Sequence, residues 1–391
     1  MYPNLYYAFK DLFGVEWKFL RFVNSFGFFV AIAFIICAIV LANELRRKSK
    51  QGLFQPTEMQ VMVGQPATFL DLALNFLLGF LLGYKILALF IMDSSATQDP
   101  QAFIFSSLGS WPAGLGLGLV FLGMKWWEKN KQKLAKPEKR IVRIWPHDRV
   151  GEITIMALVF GLLGAKLFDI FENWGDFLKH PSDYIFSAQG LTFYGGLICA
   201  GIAISWYAKK HKIGFWYLGD AMAPTMMLAY SLGRIGCQVS GDGDWGIENP
   251  KPNPFGWLPD WMWSYKYPHN VNEVGVSIPG CTDIKYCKEL PVGVYPTAFY
   301  EIVACFILFL IIWSVRKKFK IPGTLFAFYL MLNGIERFFI EKIRVNTRID
   351  FLPGHPTQAE VISALLFLSG LIIWIILYQR SKNQKSTLTS A

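Results

Sequence analysis

Long apolar runs constrain this chain more than any other feature of its sequence. Several of them reach the roughly 20 residues that an α-helix needs to cross the hydrocarbon core of a bilayer. Hydrophobic residues make up 53% of the chain and charged residues only 17%. The pattern predicts an all-α polytopic membrane protein, a bundle of about nine transmembrane helices, rather than a water-soluble domain. The predicted spans are 22–43, 67–92, 103–124, 152–171, 190–208, 215–237, 294–315, 321–341 and 357–378.

Basic residues are concentrated in alternate loops between these spans. Lysine and arginine are frequent in 46–50, 125–149, 209–212, 316–320 and the tail from residue 380, and they are sparse in the intervening loops. Because basic loops stay in the cytoplasm, we predict that the N-terminus lies outside and the C-terminus in the cytoplasm. The net charge of +10 belongs to these loops. It therefore indicates membrane orientation, and we expect no nucleic-acid partner.

Composition divides the chain into six segments. Residues 1–66 hold an aromatic interfacial stretch and the first span, whose apolar run is too long for the core of a cleavable signal peptide. The loop 238–293 is rich in Trp, Pro and Gly, so we expect a small extracytoplasmic head. Its Cys281 and Cys287 could form a disulfide in an oxidising compartment. The other segments are a hairpin of two spans (67–124), a basic cytoplasmic linker (125–151), core spans (152–237) and C-terminal core spans with a basic tail (294–391).

Ionisable residues inside the spans are the best candidates for function, because a charge in hydrocarbon is costly unless it faces a cavity and a partner. Arg234 lies near the outer end of its span and precedes a loop of glycines and aspartates. Arg337 and Glu341 are four residues apart on one helix, so they share a face and can pair. Arg344 extends that face outward. The predicted topology therefore brings Arg234 and Arg337 to one depth near the outer leaflet.

Two interpretations of these charges stay open. In the functional one the arginines clamp a phosphate, because a planar guanidinium binds phosphate oxygens in pairs and keeps its charge. Glu341 then orients Arg337 or accepts a proton. In the structural one the same residues form internal salt bridges that fix the packing of the helices. We expect no metal site, because no histidine accompanies the cysteines at ligand spacing. All five histidines fall in loops, so we expect no histidine base in the core. Neither interpretation calls for a soluble cofactor.

A series of motifs, in the same order along the chain, resembles the bacterial prolipoprotein diacylglyceryl transferase family. Gly-Arg-Ile-Gly at 233–236, with Ser-Gly-Asp at 240–242 and Trp-Gly at 245–246, resembles the family signature Gly-Arg-Ile/Leu-Gly-Asn, Asn-Gly-Glu and Trp-Gly. The further matching motifs are Gly-Ala-Lys-Leu at 164–167, Thr-Phe-Tyr-Gly-Gly-Leu at 192–197, Asp-Ala-Met-Ala-Pro at 220–224, Pro-Thr-Ala-Phe-Tyr-Glu at 296–301 and Arg-Phe-Phe-Ile-Glu at 337–341.

The resemblance implies a fold and a reaction. The family has seven spans, so residues 67–124 would be an inserted helical hairpin on a seven-span core. The implied reaction, in the bacterial inner membrane, transfers the diacylglyceryl group of phosphatidylglycerol to the lipobox cysteine of prelipoprotein signal peptides and forms a thioether. Arg234 and Arg337 would bind the phosphate, with Glu341 orienting Arg337. Asp242 or Tyr194 would transfer the proton.

At several motif positions the chain differs from the family. Tyr194 stands where the family has a histidine, Cys237 where it has an asparagine, and Tyr295 where it has a second histidine. The alternative function is a phospholipid-binding or transport protein, or an inactive relative, that uses the same arginine cavity. The implied substrate-binding residues are Arg234, Gly195, Gly196, Gly241, Gly246, Glu301, Lys166, Asp220 and Arg344.

Overall fold

The computed structural model describes residues 1–91, 103, 106–185, 190, 192–281, 285–346, 349 and 354–389, with the side chains of 183 and 384–389 left aside. The chain divides into two compact units. The main unit consists of Met1–Phe54 and Ala208–Ala391, and the second unit is Gln55–Tyr207. Each unit has its own internal packing.

Helices dominate both units. The long helices, in chain order, are α1 (Leu5–Phe13), α2 (Ser25–Lys50), α3 (Phe69–Leu81), α4 (Trp111–Lys131), α5 (Val150–Glu172), α6 (Phe193–Lys210), α7 (Phe215–Ser240), α8 (Thr297–Val315), α9 (Thr324–Glu341) and α10 (Gln358–Thr389). Helix α3 continues through a π turn, Leu82–Leu87, into Ala88–Ile91. The remaining short helical segments are Lys18–Phe22, Pro146–Arg149, Trp174–Phe177, Pro181–Ile185 and Asp260–Met262.

Five helices among the described residues are long and apolar enough to cross a membrane. They are Ser25–Lys50, Phe69–Ile91, Pro146–Glu172, Thr297–Val315 and Gln358–Asn383. A helix of this kind satisfies its backbone hydrogen bonds internally and suits the bilayer core. The chain is therefore a multi-pass membrane protein. Helices occur at all nine predicted positions, and the number that cross the membrane stays a prediction.

Two short antiparallel pairs of strands, within the residues that the structure describes, add β-structure that the all-α prediction missed. Strand β1 (Thr57–Val63) pairs with β2 (Glu138–Ile144), so the segment predicted as a basic linker contains a strand. Its isoleucines and valine favour the extended backbone. In the head, β3 (Val276–Ser277) pairs with β4 (Lys288–Glu289).

The head is held together by a disulfide and a small aromatic core. Cys281 and Cys287, the two cysteines of the long loop, are bonded to each other. Tyr267 is almost fully buried and packs with Leu290 and Val294. The described residues of this loop belong to the main unit. The Val271 N–H donates to the Ser240 carbonyl and the Tyr267 hydroxyl donates to Gln238, both at the C-terminal end of α7.

Helix α7 is the central helix of the main unit and packs against α2, α8 and α9. Its Ala223 and Met227 are completely buried beside Cys305 of α8 and Leu325 of α9. Small residues let α9 and α10 approach closely, because a Cβ added at Gly334 would lie 2.6 Å from the Ser363 carbonyl oxygen. This packing fixes the relative positions of the ends of α7, α8 and α9, where the ionisable residues gather.

Candidate active site

Arg234 lies in the last turns of α7, just before the helix stops. The helix ends at Ser240, and Gly241 adopts a left-handed backbone with φ of 64° while its N–H donates to the Cys237 carbonyl. Gly243 has a φ of 98°, which a residue with a side chain rarely adopts. The two glycines turn the chain sharply. This turn brings Asp244 back against the Arg234 side chain.

Glu301, in the second turn of α8, is the centre of the site. Its side chain is 0% exposed. Arg234 Nε lies 2.9 Å from Oε2, Arg337 Nη1 lies 2.8 Å from Oε1, and Arg344 Nη1 lies 3.4 Å from Oε2. The Tyr230 hydroxyl donates to Oε1 at 2.8 Å. One buried carboxylate therefore holds three guanidinium groups that come from α7, α9 and the segment after α9.

Asp244 forms a second bridge between the arginines. Its two carboxylate oxygens bond to Arg234 and to Arg344, and its side chain is 31% exposed. Its backbone carbonyl accepts a hydrogen bond from Thr297 Oγ1 at 2.6 Å. Burial opposes the charged form of this carboxyl, but the two guanidinium groups outweigh it and lower the pKa of Asp244 to about 2. Asp244 is therefore a charged carboxylate at any physiological pH.

Glu341 fixes the far side of Arg337. Arg337 Nη2 lies 3.2 Å from Glu341 Oε2, the pairing that the four-residue spacing predicts. The other oxygen, Oε1, accepts hydrogen bonds from Thr357 Oγ1 at 2.8 Å and Asn346 Nδ2 at 2.5 Å. Glu341 thus ties Arg337 to the segment that leads into α10. These contacts hold the carboxylate in place beside the Arg337 guanidinium, and its role as an orienting residue stays a prediction.

We call Arg234, Asp244, Glu301, Arg337, Glu341 and Arg344 the arginine cluster. Its side chains come from three helices and two loops of the main unit. The side chains of Arg234 and Arg337 are 15% and 16% exposed, so both are partly accessible. The structure thus brings together Arg234 and Arg337, which the sequence predicted at one depth. It also pairs each of them with carboxylates.

The loop after α7 is pinned on both sides. The Gly246 N–H donates to the Tyr295 carbonyl at 2.8 Å, and the Ile247 N–H donates to the Ile343 carbonyl at 2.9 Å. A Cβ added at Gly246 would lie 2.5 Å from the Ile343 oxygen. Gly246, implied by the resemblance to bind substrate, thus lies close to the protein's own backbone, and its role toward substrate stays a prediction. Because Arg344 follows Ile343, the hydrogen bond between Ile247 and Ile343 places Arg344 beside the cluster.

Asp242 occupies the start of the same loop. Its carboxylate accepts the Asp244 N–H at 3.3 Å, and its carbonyl accepts from Asn272 Nδ2 at 2.7 Å. Burial raises the pKa of Asp242, and the neighbouring charge of Asp244 adds to the shift. A Cβ at Gly241 would contact Asn270 of the head at 3.1 Å. Asp242 is therefore a half-buried carboxyl next to the cluster with a stronger affinity for a proton than an exposed aspartate.

Asp220 lies at the other end of α7, roughly 20 Å from Arg234 by the rise of 1.5 Å per residue. Its carboxylate accepts the backbone N–H groups of Gly323 at 2.9 Å and Phe326 at 3.0 Å. Lys48 Nζ lies 3.8 Å away. Asp220 thus caps the N-terminus of α9, where free N–H groups favour a negative charge. The structure does not bring it to the arginine cluster.

Tyr194, Gly195 and Gly196 form the first turn of α6, in the second unit. A Cβ at Gly195 would lie 2.6 Å from the Gly164 carbonyl, and one at Gly196 would lie 2.7 Å from the Gly161 carbonyl. These glycines let α6 and α5 pack closely, as small residues do between membrane helices. Their roles toward substrate, and that of Tyr194 in proton transfer, stay predictions.

Lys166 lies on α5 of the second unit and pairs within that unit. Its Nζ is 3.4 Å from Asp169 Oδ2 and 3.5 Å from the Gly190 carbonyl oxygen. Asp169 also accepts from Asn173 Nδ2 at 3.2 Å. The substrate-binding role implied for Lys166 stays a prediction.

Sequence analysis missed residues that the structure places in or beside the cluster. Asp244 follows Asp242 in the same loop, and only the turn at the glycines shows which of the two faces the arginines. Tyr230 precedes Arg234 by four residues, which puts both on one helix face. The Arg234 guanidinium lies 5.3 Å from the centre of the Tyr230 ring. That spacing was a usable signal, since arginine stacks on aromatic rings.

Comparison with known proteins is consistent with the motifs. The family model described as prolipoprotein diacylglyceryl transferase matches residues 113–376, a range that contains the whole arginine cluster. A phosphatidylglycerol–prolipoprotein diacylglyceryl transferase of Clostridioides difficile is 29% identical over 61% of this chain and 82% of its own length. One of Dehalococcoides mccartyi is 28% identical over 74% and 96%, and one of Pseudomonas aeruginosa is 23% identical over 73% and 96%. The chain belongs to the prolipoprotein diacylglyceryl transferase family.

Proposed function

We propose that this protein transfers the diacylglyceryl group of phosphatidylglycerol to the lipobox cysteine thiol of prelipoproteins. In this reaction the thiolate sulfur attacks the carbon of the diacylglyceryl group that is bonded to the phosphate oxygen. The carbon–oxygen bond breaks, a thioether forms and glycerol phosphate leaves. The relatives from Clostridioides difficile and Dehalococcoides mccartyi are named for this activity. Membership of the same family supports it here.

The observation that carries the proposal is the convergence of Arg234, Arg337 and Arg344. The phosphate gains negative charge as it leaves, and preorganised cations stabilise charge that develops in a transition state. Guanidinium groups bind phosphate oxygens in pairs and stay charged. Glu301 and Glu341 hold the arginines in place before substrate arrives. The site therefore needs little rearrangement of its helices to receive a phosphate.

The reaction also needs a proton acceptor for the cysteine thiol. A free thiol has a pKa of about 8.5, and its thiolate is the nucleophile. A base works best when its own pKa approaches the operating pH. Asp242 lies beside the cluster, and its pKa is raised by burial. We assign the proton to Asp242 first and to Glu341 second, with Tyr194 as the last candidate.

We place the protein in the bacterial inner membrane with nine spans, the N-terminus outside and the C-terminus in the cytoplasm. The distribution of basic loops supports this orientation. The head (238–293) would then lie outside the cytoplasm, next to the arginine cluster. Its Cys281–Cys287 disulfide suits an oxidising compartment. Substrate lipid and signal peptides would reach the site from the outer leaflet.

A transfer assay with purified protein tests this function. The protein is incubated in mixed micelles of phosphatidylglycerol with a peptide that carries one lipobox cysteine. We expect the peptide to gain the mass of one diacylglyceryl group. A peptide with serine in place of cysteine, micelles of phosphatidylcholine, and Arg234→Ala protein should give no gain. The proposal would be contradicted if the cysteine peptide stayed unmodified while the wild-type protein still bound phosphatidylglycerol. That result would favour a lipid-binding or transport protein.

A further inference from the structure

The arginine cluster is electrically balanced. It holds the three guanidinium groups of Arg234, Arg337 and Arg344, and within the described residues it pairs them with the three carboxylates of Asp244, Glu301 and Glu341. A phosphate that entered this set would add a fourth negative charge to a largely buried site. An uncompensated charge in such a site is costly. The cost is avoided if one carboxylate gives up its arginine contacts when the phosphate arrives.

The three carboxylates differ in their freedom to leave. The side chains of Glu301 and Glu341 are 0% exposed, and both sit on packed helices. Each also accepts hydrogen bonds from neutral side chains, those of Tyr230 and Thr357. Asp244 is 31% exposed and lies on a loop. Of the three, only Asp244 can exchange its arginine contacts for water by turning its side chain.

The backbone around Asp244 is held by hydrogen bonds that do not involve its carboxylate. Thr297 Oγ1 holds the Asp244 carbonyl at 2.6 Å, and Asn272 Nδ2 holds the Asp242 carbonyl at 2.7 Å. The Gly246 N–H is bonded to Tyr295. The loop therefore keeps its position, and a rotation about the side-chain bonds of Asp244 is enough to free the arginines.

Arg344 has a buried donor that an incoming anion could bind. Its side chain is 9% exposed, and its Nε is buried without an acceptor among the residues described. A buried donor without a partner costs free energy. Its two terminal nitrogens bond to Glu301 and Asp244. Once Asp244 has turned away, Arg344 presents both Nε and Nη2 to a phosphate oxygen.

We propose that Asp244 occupies the phosphate position of the resting site and that the phosphate of phosphatidylglycerol displaces it. The inference rests on the proposed function for the identity of the anion. Asp244 acts as a positioning residue, because it keeps Arg234 and Arg344 apart from one another and correctly spaced until lipid binds. The exchange of one anion for another leaves the charge of the site unchanged.

The variant Asp244→Asn tests the displacement. It removes the internal competitor and preserves the shape of the side chain. If Asp244 is turned away from the arginines in about 10% or less of the wild-type protein, lipid binds only that fraction. Removing the Asp244 carboxylate then lowers the KM for phosphatidylglycerol about tenfold or more. Glu248→Gln, which removes an exposed carboxylate from the same loop, should leave the KM unchanged. An unchanged or raised KM in folded Asp244→Asn protein would overturn the displacement.

Carboxylate labelling of the wild type tests the same point without a variant. A water-soluble carbodiimide with an amine modifies exposed carboxylates, and mass spectrometry reads the modified positions. We expect labelling at Asp244 to rise several-fold when phosphatidylglycerol is added to protein in detergent, and labelling at Glu248 to stay constant. No rise at Asp244 would overturn the displacement.

The outcomes separate this inference from the proposed function. A rise in Asp244 labelling without peptide modification would support displacement in a protein that only binds lipid. Peptide modification with neither a rise in labelling nor a lower KM in Asp244→Asn would leave the transferase function in place and show that Asp244 is a permanent structural counter-ion.

Discussion

Arg234 and Glu301 form an ion pair with 2.9 Å between Nε and Oε2, which joins the end of α7 to the start of α8. The same carboxylate binds Arg337 of α9 at 2.8 Å. Three helices of the main unit are thus joined through one buried side chain. The helix packing and the candidate phosphate site depend on the same contacts. Substitutions in the cluster should therefore change both the stability and the transfer activity, which are measured separately.

Glu301→Gln should destabilise the protein more than any single surface change. Removing the charge leaves the three guanidinium groups of the arginine cluster with two of its three carboxylates, Asp244 and Glu341, and breaking a buried ion pair costs about 3–5 kcal/mol. Thermal unfolding in detergent, followed by the fluorescence of the tryptophans, measures the loss. Glu248→Gln is the matched control and should shift the midpoint little. Equal midpoints for the two variants would contradict the central position of Glu301.

Arg337→Lys should lower kcat while the protein stays folded. A lysine ammonium cannot span Glu301 and Glu341 and also present a planar pair of donors to phosphate. By analogy with the loss of one preorganised donor, we expect kcat to fall about 10²–10³-fold. The transfer assay gives kcat and KM for wild type and variant side by side. Full turnover by Arg337→Lys would remove this arginine from the stabilisation of the leaving phosphate.

Tyr230→Phe should cost the protein one defined hydrogen bond. The variant loses the 2.8 Å hydrogen bond to Glu301 but keeps the ring that faces Arg234. A single hydrogen bond to a charged partner contributes about 1.5–3 kcal/mol. We expect a drop of that order in the free energy of unfolding and a modest decrease in transfer rate. Tyr230→Ala, which also removes the ring, should be clearly worse, and equal effects of the two would show that the hydroxyl alone matters.

Asp220→Ala should affect folding rather than lipid binding. The substitution leaves the Gly323 and Phe326 N–H groups at the start of α9 without their acceptor, and loss of a helix cap costs about 0.5–2 kcal/mol. A lower unfolding midpoint is the expected result. A large rise in the KM for phosphatidylglycerol at unchanged stability would instead place Asp220 in the binding site, as the resemblance alone implies.

The contribution of Asp244 to stability should depend on pH in a specific direction. Its pKa is lowered from an ordinary value of 3.8 to about 2, where burial is outweighed by the two guanidinium groups. A lowered pKa gives stability that is fully present above 3.8 and is lost as the pH falls through about 2. The unfolding midpoints of wild type and Asp244→Asn should therefore differ by a constant amount from neutral pH to about 4 and converge below it. A difference that vanishes between pH 5 and 7 would contradict the ion pairs.

The sequence predicts those contacts that follow from local geometry. The pairing of Arg337 with Glu341 is set by a four-residue helical spacing, and the depth of Arg234 is set by its place near the end of an apolar run. Contacts between distant segments need the folded chain. No periodicity indicates that Glu301 receives three guanidinium groups, or that Asp220 caps a helix that begins a hundred residues later.

Loops were harder to predict than helices for a physical reason. The strands Thr57–Val63 and Glu138–Ile144 are far apart in sequence, and their pairing is visible only when both are placed. In the loop after α7, the turn at Gly241 and Gly243 decides that Asp244 rather than Asp242 meets the arginines. Backbone angles of this kind depend on residues further along the same loop, such as Asn270, that pack against the turn. The motif alone therefore does not fix them.

A structure determined by electron cryo-microscopy in nanodiscs of phosphatidylglycerol tests the central claim most directly. We expect the density of one lipid phosphate within about 3 Å of the Arg234 and Arg344 guanidinium groups, a hydrogen-bond distance for charged partners. The Asp244 side chain should be turned away from both arginines while Glu301 keeps its contacts. A lipid phosphate bound elsewhere, with Asp244 still joined to Arg234 and Arg344, would contradict the assignment of this cluster as the phosphate site.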